Sequence, residues 1–203
     1  MDESKPQVKL ILLIIPLFLI GVLYPAIQDV APQGFDLTTP IDVMIPYVSY
    51  FVIPYILYFP FIILPFLLLW KRSNDYKNLA LTYITVLIIS QLIFLSFQTT
   101  MTRADVQPAD IFDELVIQIY SADKPLNLLP SLHTALSIVA ALFIWKFNKK
   151  LGVAAVILTV LIIISTLLIK QHVIPDAIAG ILLAFGSYYL IRRKYDTHTK
   201  DRT

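Results

Sequence analysis

The sequence predicts an all-α polytopic membrane protein, a six-helix transmembrane bundle with a short interfacial helix in its second outer loop. Three observations predict it. The 203 residues are 58% hydrophobic and 15% charged, with a mean hydropathy of +0.76, which leaves too little polar surface for a soluble domain of this size. Six apolar stretches recur along the chain, matching the roughly 17–25 residues that cross a hydrocarbon core about 30 Å thick. The connections between them alternate in charge, basic on one side and acidic on the other. Residues 1–203 therefore read as a single transmembrane domain.

The spans fall at about 8–24, 44–70, 79–97, 130–145, 151–169 and 175–191. The first follows a short Lys-containing start with no small-x-small cleavage site after it, so it reads as an uncleaved span. The second carries Pro46, Pro54, Pro60 and Pro65. Prolines kink a helix by removing backbone donors, and either half alone is too short to cross, so one kinked helix is expected. Residues 98–129 form the longest connection. Within them Asp110 is placed to cap a short helix over 111–120. Pro130 reads as the first helical residue of the fourth span, where its missing N–H does no harm. Pro175 biases Ile174 away from helix, so the chain is expected to turn between spans five and six.

Sidedness follows from the basic residues. Lys5 and Lys9 precede span one, Lys71, Arg72 and Lys77 follow span two, Lys146, Lys149 and Lys150 follow span four, and Arg192, Arg193 and Lys194 follow span six. With six crossings all lie on one side, which the positive-inside rule makes the cytoplasm. Both termini are then cytoplasmic, and the plasma membrane is the expected location. The net charge of +2 gives no reason to expect nucleic acid as a partner. There is no cysteine, which rules out disulfides and thiolate chemistry.

Only Arg103, Lys124 and Lys170 remain as outer Lys or Arg residues, and His133 and His172 fall on the same side. Few cations gathered beside two histidines at a membrane surface point to an anion, a phosphate foremost. Around His133 the chain reads Pro130-Ser131-Leu132-His133. The N–H groups near Ser131, Leu132 and His133 would sit at a helix N-terminus, where orphan donors and the helix dipole favour an anion. Ser131 offers a hydroxyl donor as well. The same pattern also reads as a plain helix cap with an interfacial histidine. Around His172, Asp176 lies four residues on, at a distance that lets a carboxylate fix an imidazole tautomer. Lys170 near the membrane edge needs a partner or must snorkel.

These residues resemble the type-2 phosphatidic acid phosphatase superfamily of six-span, metal-independent lipid phosphatases. Its three outer motifs run Lys-x6-Arg-Pro, Pro-Ser-x-His and Ser-Arg-x5-His-x3-Asp. Pro130-Ser131-Leu132-His133 matches the second in full. Ser165-Thr166-x5-His172-x3-Asp176 matches the third, with Thr166 where Arg is usual. In the first, Arg103 holds the Arg place, Ala104 stands for Pro and Ser96 for Lys. The resemblance implies that His172 is the nucleophile, Asp176 orients it and His133 is the acid and base. Arg103, Lys170, Ser131, the Leu132 amide and, more remotely, Lys124 would bind the phosphate. The substrate would be a membrane lipid phosphate drawn from the bilayer. Lys124 and Lys170 are the candidates to replace the missing motif cations. No metal or cofactor is expected, because the outer cations would repel a metal ion. A related branch, the sphingolipid-synthase type, transfers the phosphoryl headgroup to an alcohol instead of water. A non-catalytic protein that binds or transports anionic lipid is the remaining alternative.

Overall fold

In a computed structural model the described residues are 5–30 and 34–200, with side chains through Arg193. Most of the described backbone is helical. Five stretches are long and apolar enough to cross a membrane: Pro6–Val30, Ser49–Leu68, Ser73–Ser96, Lys149–Leu168 and Ile174–Arg193. The first comprises α1 (Pro6–Phe18), a π-helical turn (Leu19–Leu23) and α2 (Tyr24–Val30), so it continues past its expected end at residue 24.

The second span begins later than the sequence predicts. Residues 44–48 are not the start of a long helix. A short α3 (Pro40–Met44) is capped by Thr39, whose side chain accepts from the Asp42 amide while the Asp42 carboxylate accepts from the Thr39 amide. Ile45 to Val48 then runs extended into a 3-10 turn (Ser49–Phe51) and α4 (Val52–Leu68). The reason lies in Pro46, which disfavours helix at the residue before it. Pro60 and Pro65 do lie inside α4.

The remaining helices are α5 (Ser73–Ser96), α6 (Ile111–Ala122), α7 (Leu132–Phe147), α8 (Lys149–Leu168) and α9 (Ile174–Lys200). The short loop helix is α6, and Asp110 caps it by accepting from the amides of Phe112 (2.8 Å) and Asp113 (2.9 Å). With 16 residues, α7 is apolar but shorter than the other spans. It is the hub of the fold and packs on α4, α5, α8 and α9. Leu136, Val139, Ala140 and Ile144 along it are almost wholly enclosed, so its neighbours, not lipid, surround it. The chain leading into it, Leu126 to Ser131, is buried apart from the partly covered Leu129.

Two short strands complete the end of the bundle at which α5 ends and α7 begins. Phe35–Asp36 (β1) pairs in parallel with Thr99–Thr100 (β2), and Thr100 bridges to Leu126. The Thr99 hydroxyl accepts from the amides of Leu128 and Leu129, and the Gln98 side chain clasps Asn127. The segment after the first span, the exit of α5 and the entry to α7 are thereby tied into one layer. Gln91, in the last third of α5, donates to the Leu19 carbonyl at 3.0 Å, a link to the first span.

Candidate active site

The turn between α8 and α9 creates the first half of the site. The amides of Gln171 and His172 both donate to the Thr166 carbonyl, at 2.8 and 3.0 Å, which satisfies the end of α8. Lys170 adopts a left-handed backbone (φ 52°) to make the reversal. Asp176 lies in the first turn of α9 and is fully buried. Its Oδ2 lies 3.2 Å from His172 Nδ1 and accepts the Val173 N–H at 3.0 Å. A ring nitrogen facing a carboxylate carries the proton, so His172 presents Nε2 as a lone pair.

The second half comes from α7. His133 is the second residue of that helix, and its ring centroid lies 5.6 Å from that of His172 at 65°. Tyr55 and Tyr58, one helical turn apart on α4, hold it from the side, with centroids at 4.6 and 4.3 Å. His133 Nε2 is buried and has no hydrogen-bond partner. Glycine lets the two halves meet. A Cβ on Gly180 would lie 2.7 Å from the Ser131 carbonyl oxygen and 2.9 Å from Thr134 Cβ. Only a bare Cα lets α9 pass the start of α7 so closely, and one turn earlier the Asp176 carbonyl takes the Ser131 N–H at 3.0 Å.

Two cavities meet at His172. The larger, about 550 Å³, is lined mostly by apolar side chains of the first span, α4 and α6, and reaches Tyr55, Leu132, His133 and His172. The smaller, about 250 Å³, lies between the first outer loop and the His172 turn, with Arg103, Lys170 and His172 in its wall. Arg103 is held by three acceptors: Tyr120 O (3.1 Å), Asp123 O (2.6 Å) and Gln171 Oε1 (2.6 Å). Its Nε is buried without a partner. Burial pulls its pKa below the usual arginine value and Asp123 pushes back, yet a guanidinium stays charged in proteins.

A model of the PAP2 superfamily matches residues 34–190, a stretch that includes both histidines and Asp176. The chain belongs to the PAP2 superfamily. Neither the curated proteins nor the solved structures compared with it give a match. Membership points to an enzyme acting on lipid phosphates, of the phosphatase or phosphotransferase type.

Within this PAP2 chain, His172, Asp176, His133, Leu132 and Arg103 come together, and three of the residues expected to bind phosphate take other partners. Ser131 is fully buried, and its hydroxyl oxygen accepts from the Thr134 amide at 3.3 Å. It is therefore the N-cap of α7, and Pro130 stands one residue before the cap, outside the helix. Ser is a favoured N-cap, and its own N–H is taken by Asp176. Lys124 lines neither cavity. It is exposed and ion-pairs with Asp29 at 2.5 Å, as a solvated loop cation does. Lys170 lines the smaller cavity, but its Nζ donates to the carbonyls of Asp42 (2.9 Å) and Ile45 (2.5 Å). Burial lowers its pKa and Asp42 opposes the shift. At the motif positions that depart from the family pattern, Thr166 is buried with its hydroxyl on Ile163 O, and Ser96 is exposed with its hydroxyl on Leu92 O.

Sequence reasoning missed Gln171, which clamps Arg103, and the tyrosine wall of His133. Tyr55 and Tyr58 are spaced for one helix face, but nothing in that spacing names a histidine as their partner. Gln171 directly precedes His172 and carried no signal of its own.

Proposed function

We propose that this PAP2 protein hydrolyses a phosphate ester or pyrophosphate of a membrane lipid through a phosphohistidine, without a metal. The observation that carries the reading is the pair of imidazoles at 5.6 Å, one with its Nδ1 tied to a buried carboxylate and the other enclosed by aromatic rings. His172 Nε2 attacks phosphorus, and the P–N bond forms as the P–O bond to the lipid alcohol breaks. Protonated His133 gives its proton to the departing oxygen. Water then attacks phosphorus, His133 takes its proton, and the P–N bond breaks to return His172 and inorganic phosphate. Asp176 stabilises the positive ring of phosphohistidine. The unpartnered Nε–H of Arg103, the Leu132 amide and Lys170 are the donors for the phosphoryl oxygens.

The membrane arrangement belongs to the same proposal. The chain crosses six times in the plasma membrane, α7 being the fourth crossing, with both termini cytoplasmic and the site outside. The basic residues favour this orientation.

Transfer of the phosphoryl group to a lipid alcohol is the second reading, favoured by the mainly apolar wall of the larger cavity. Purified protein in detergent with a chelator, given a panel of labelled lipid phosphates, tests both. Free phosphate is the expected product, a new headgroup lipid supports transfer, and no turnover refutes both. His172→Ala is expected to abolish turnover and the acid-labile phosphoenzyme. A fully active His172→Ala protein would overturn the phosphohistidine.

A further inference from the structure

The first outer loop carries a buried carboxylate that the reaction above leaves unused. Asp42 is 5% exposed, and both its oxygens are engaged. Oδ2 accepts from the Thr39 amide (2.9 Å) and hydroxyl (2.5 Å) within its own helix cap. Oδ1 leaves the loop and accepts the Ile174 N–H at 2.7 Å, across 132 residues. In return Lys170 reaches back to the carbonyls of Asp42 and Ile45. The nucleophile sits between these two contacts. Val173 and Ile174, the residues directly after His172, each give their N–H to a carboxylate, Asp176 for the first and Asp42 for the second.

We infer that Asp42 is a positioning residue for the nucleophile, fixing the His172 turn from the first outer loop so that His172 Nδ1 stays on Asp176. The inference rests on the reading of His172 as nucleophile. Its physical basis is the shortness of the connection. Only Val173 separates His172 from Ile174, so freeing the Ile174 amide frees the backbone that sets the ring. Hydrogen bonds to a charged acceptor are about twice as strong as neutral ones, which suits a clamp that must hold a ring to a fraction of an ångström. An amide cannot replace this carboxylate. Asparagine has one acceptor oxygen, and position 42 must accept on both sides, from Thr39 and from Ile174.

Three variants test it. Asp42→Asn keeps the size and loses one of the two acceptors. Ile174→Pro deletes the donor and leaves Asp42 on its Thr39 cap; proline suits a first helical position, and Val173 before it is not helical. Thr39→Val breaks the cap alone. Misplacing a reacting group by about 1 Å is worth about 10²-fold in rate, so the first two variants are expected to lose about tenfold or more in kcat with KM within about twofold. Thr39→Val is expected to keep kcat.

A further readout separates alignment from simple loss of fold. The ring-nitrogen resonances of His172, one of three histidines, report loosening of the Nδ1–Asp176 contact without turnover, whereas partial unfolding would lower their intensity without moving them. Wild-type protein with no phosphate release would refute the proposed reaction while the resonances still test Asp42. If Asp42→Asn and Ile174→Pro both keep the wild-type kcat and His172 resonances, Asp42 has no positioning role.

Discussion

In the proposed reaction the charge on Asp176 matters more than its shape. Its Oδ2 serves both His172 Nδ1 and the Val173 amide, and its Oδ1 is buried without a partner. Asparagine can keep both contacts with its single oxygen, so Asp176→Asn removes the charge and preserves the fit. A hydrogen bond to a charged group is worth about 1.5–3 kcal/mol against about 1 for a neutral pair. The positive ring of phosphohistidine would lose that difference, so Asp176→Asn is expected to lower kcat by about two- to thirtyfold. Circular dichroism and melting temperature should stay near wild type, and an unchanged kcat would show that the carboxylate only orients the ring. Asp176 was legible at this scale because the His172-x3-Asp176 spacing spans about one helical turn. The partners of Lys124 and Lys170 were not, because they lie 95 and 128 residues away in sequence. A cation takes the nearest acceptor in space, and no local pattern encodes which one that is.

The crossing of α7 and α9 decides whether the two histidine segments meet at all. Gly180 permits it. A methyl group there would stand 2.7 Å from the Ser131 oxygen, and backbone cannot yield as a flexible side chain does. Overpacking of this kind typically destabilises by about 1–3 kcal/mol. Gly180→Ala is expected to lower the melting temperature and to reduce activity further than the lost stability explains, because the shift separates Asp176 O from the Ser131 amide. Gly186→Ala is the control, since a Cβ there has nothing within 4 Å. Equal effects of the two substitutions would mean that the crossing tolerates a side chain. Helix existence was readable from apolar runs at every span, and the α6 cap from Asp110 alone. The start of the second span was not, since hydropathy does not register that Pro46 and the extended Ile45–Val48 segment interrupt an apolar run. Nor does an apolar run reveal contact. Gly180 looks like any glycine in a span until its neighbour is known.

At the scale of the molecule, the arrangement turns on α7. Five helices satisfy the length for crossing, whereas α7, at 16 residues, extends only about 24 Å at 1.5 Å per residue. A helix facing lipid at that length would be short of the ~30 Å core. Surrounded by α4, α5, α8 and α9, it has little lipid to match, and the buried segment Leu126 to Ser131 completes the depth. Crossing by α7 would put the loop carrying Arg103 on one side and the basic turn of Lys149 and Lys150 on the other. The absence of cysteine from the sequence makes this directly measurable. Gln107→Cys and Lys150→Cys both introduce thiols at exposed positions flanking α7. An impermeant maleimide added to intact cells should label residue 107 and spare residue 150, and inverted vesicles should reverse the pattern. Labelling of both from one side would mean that α7 does not cross. The reversed pattern would turn the histidines toward the cytoplasm, and the lipid phosphate would then have to be presented from the inner leaflet.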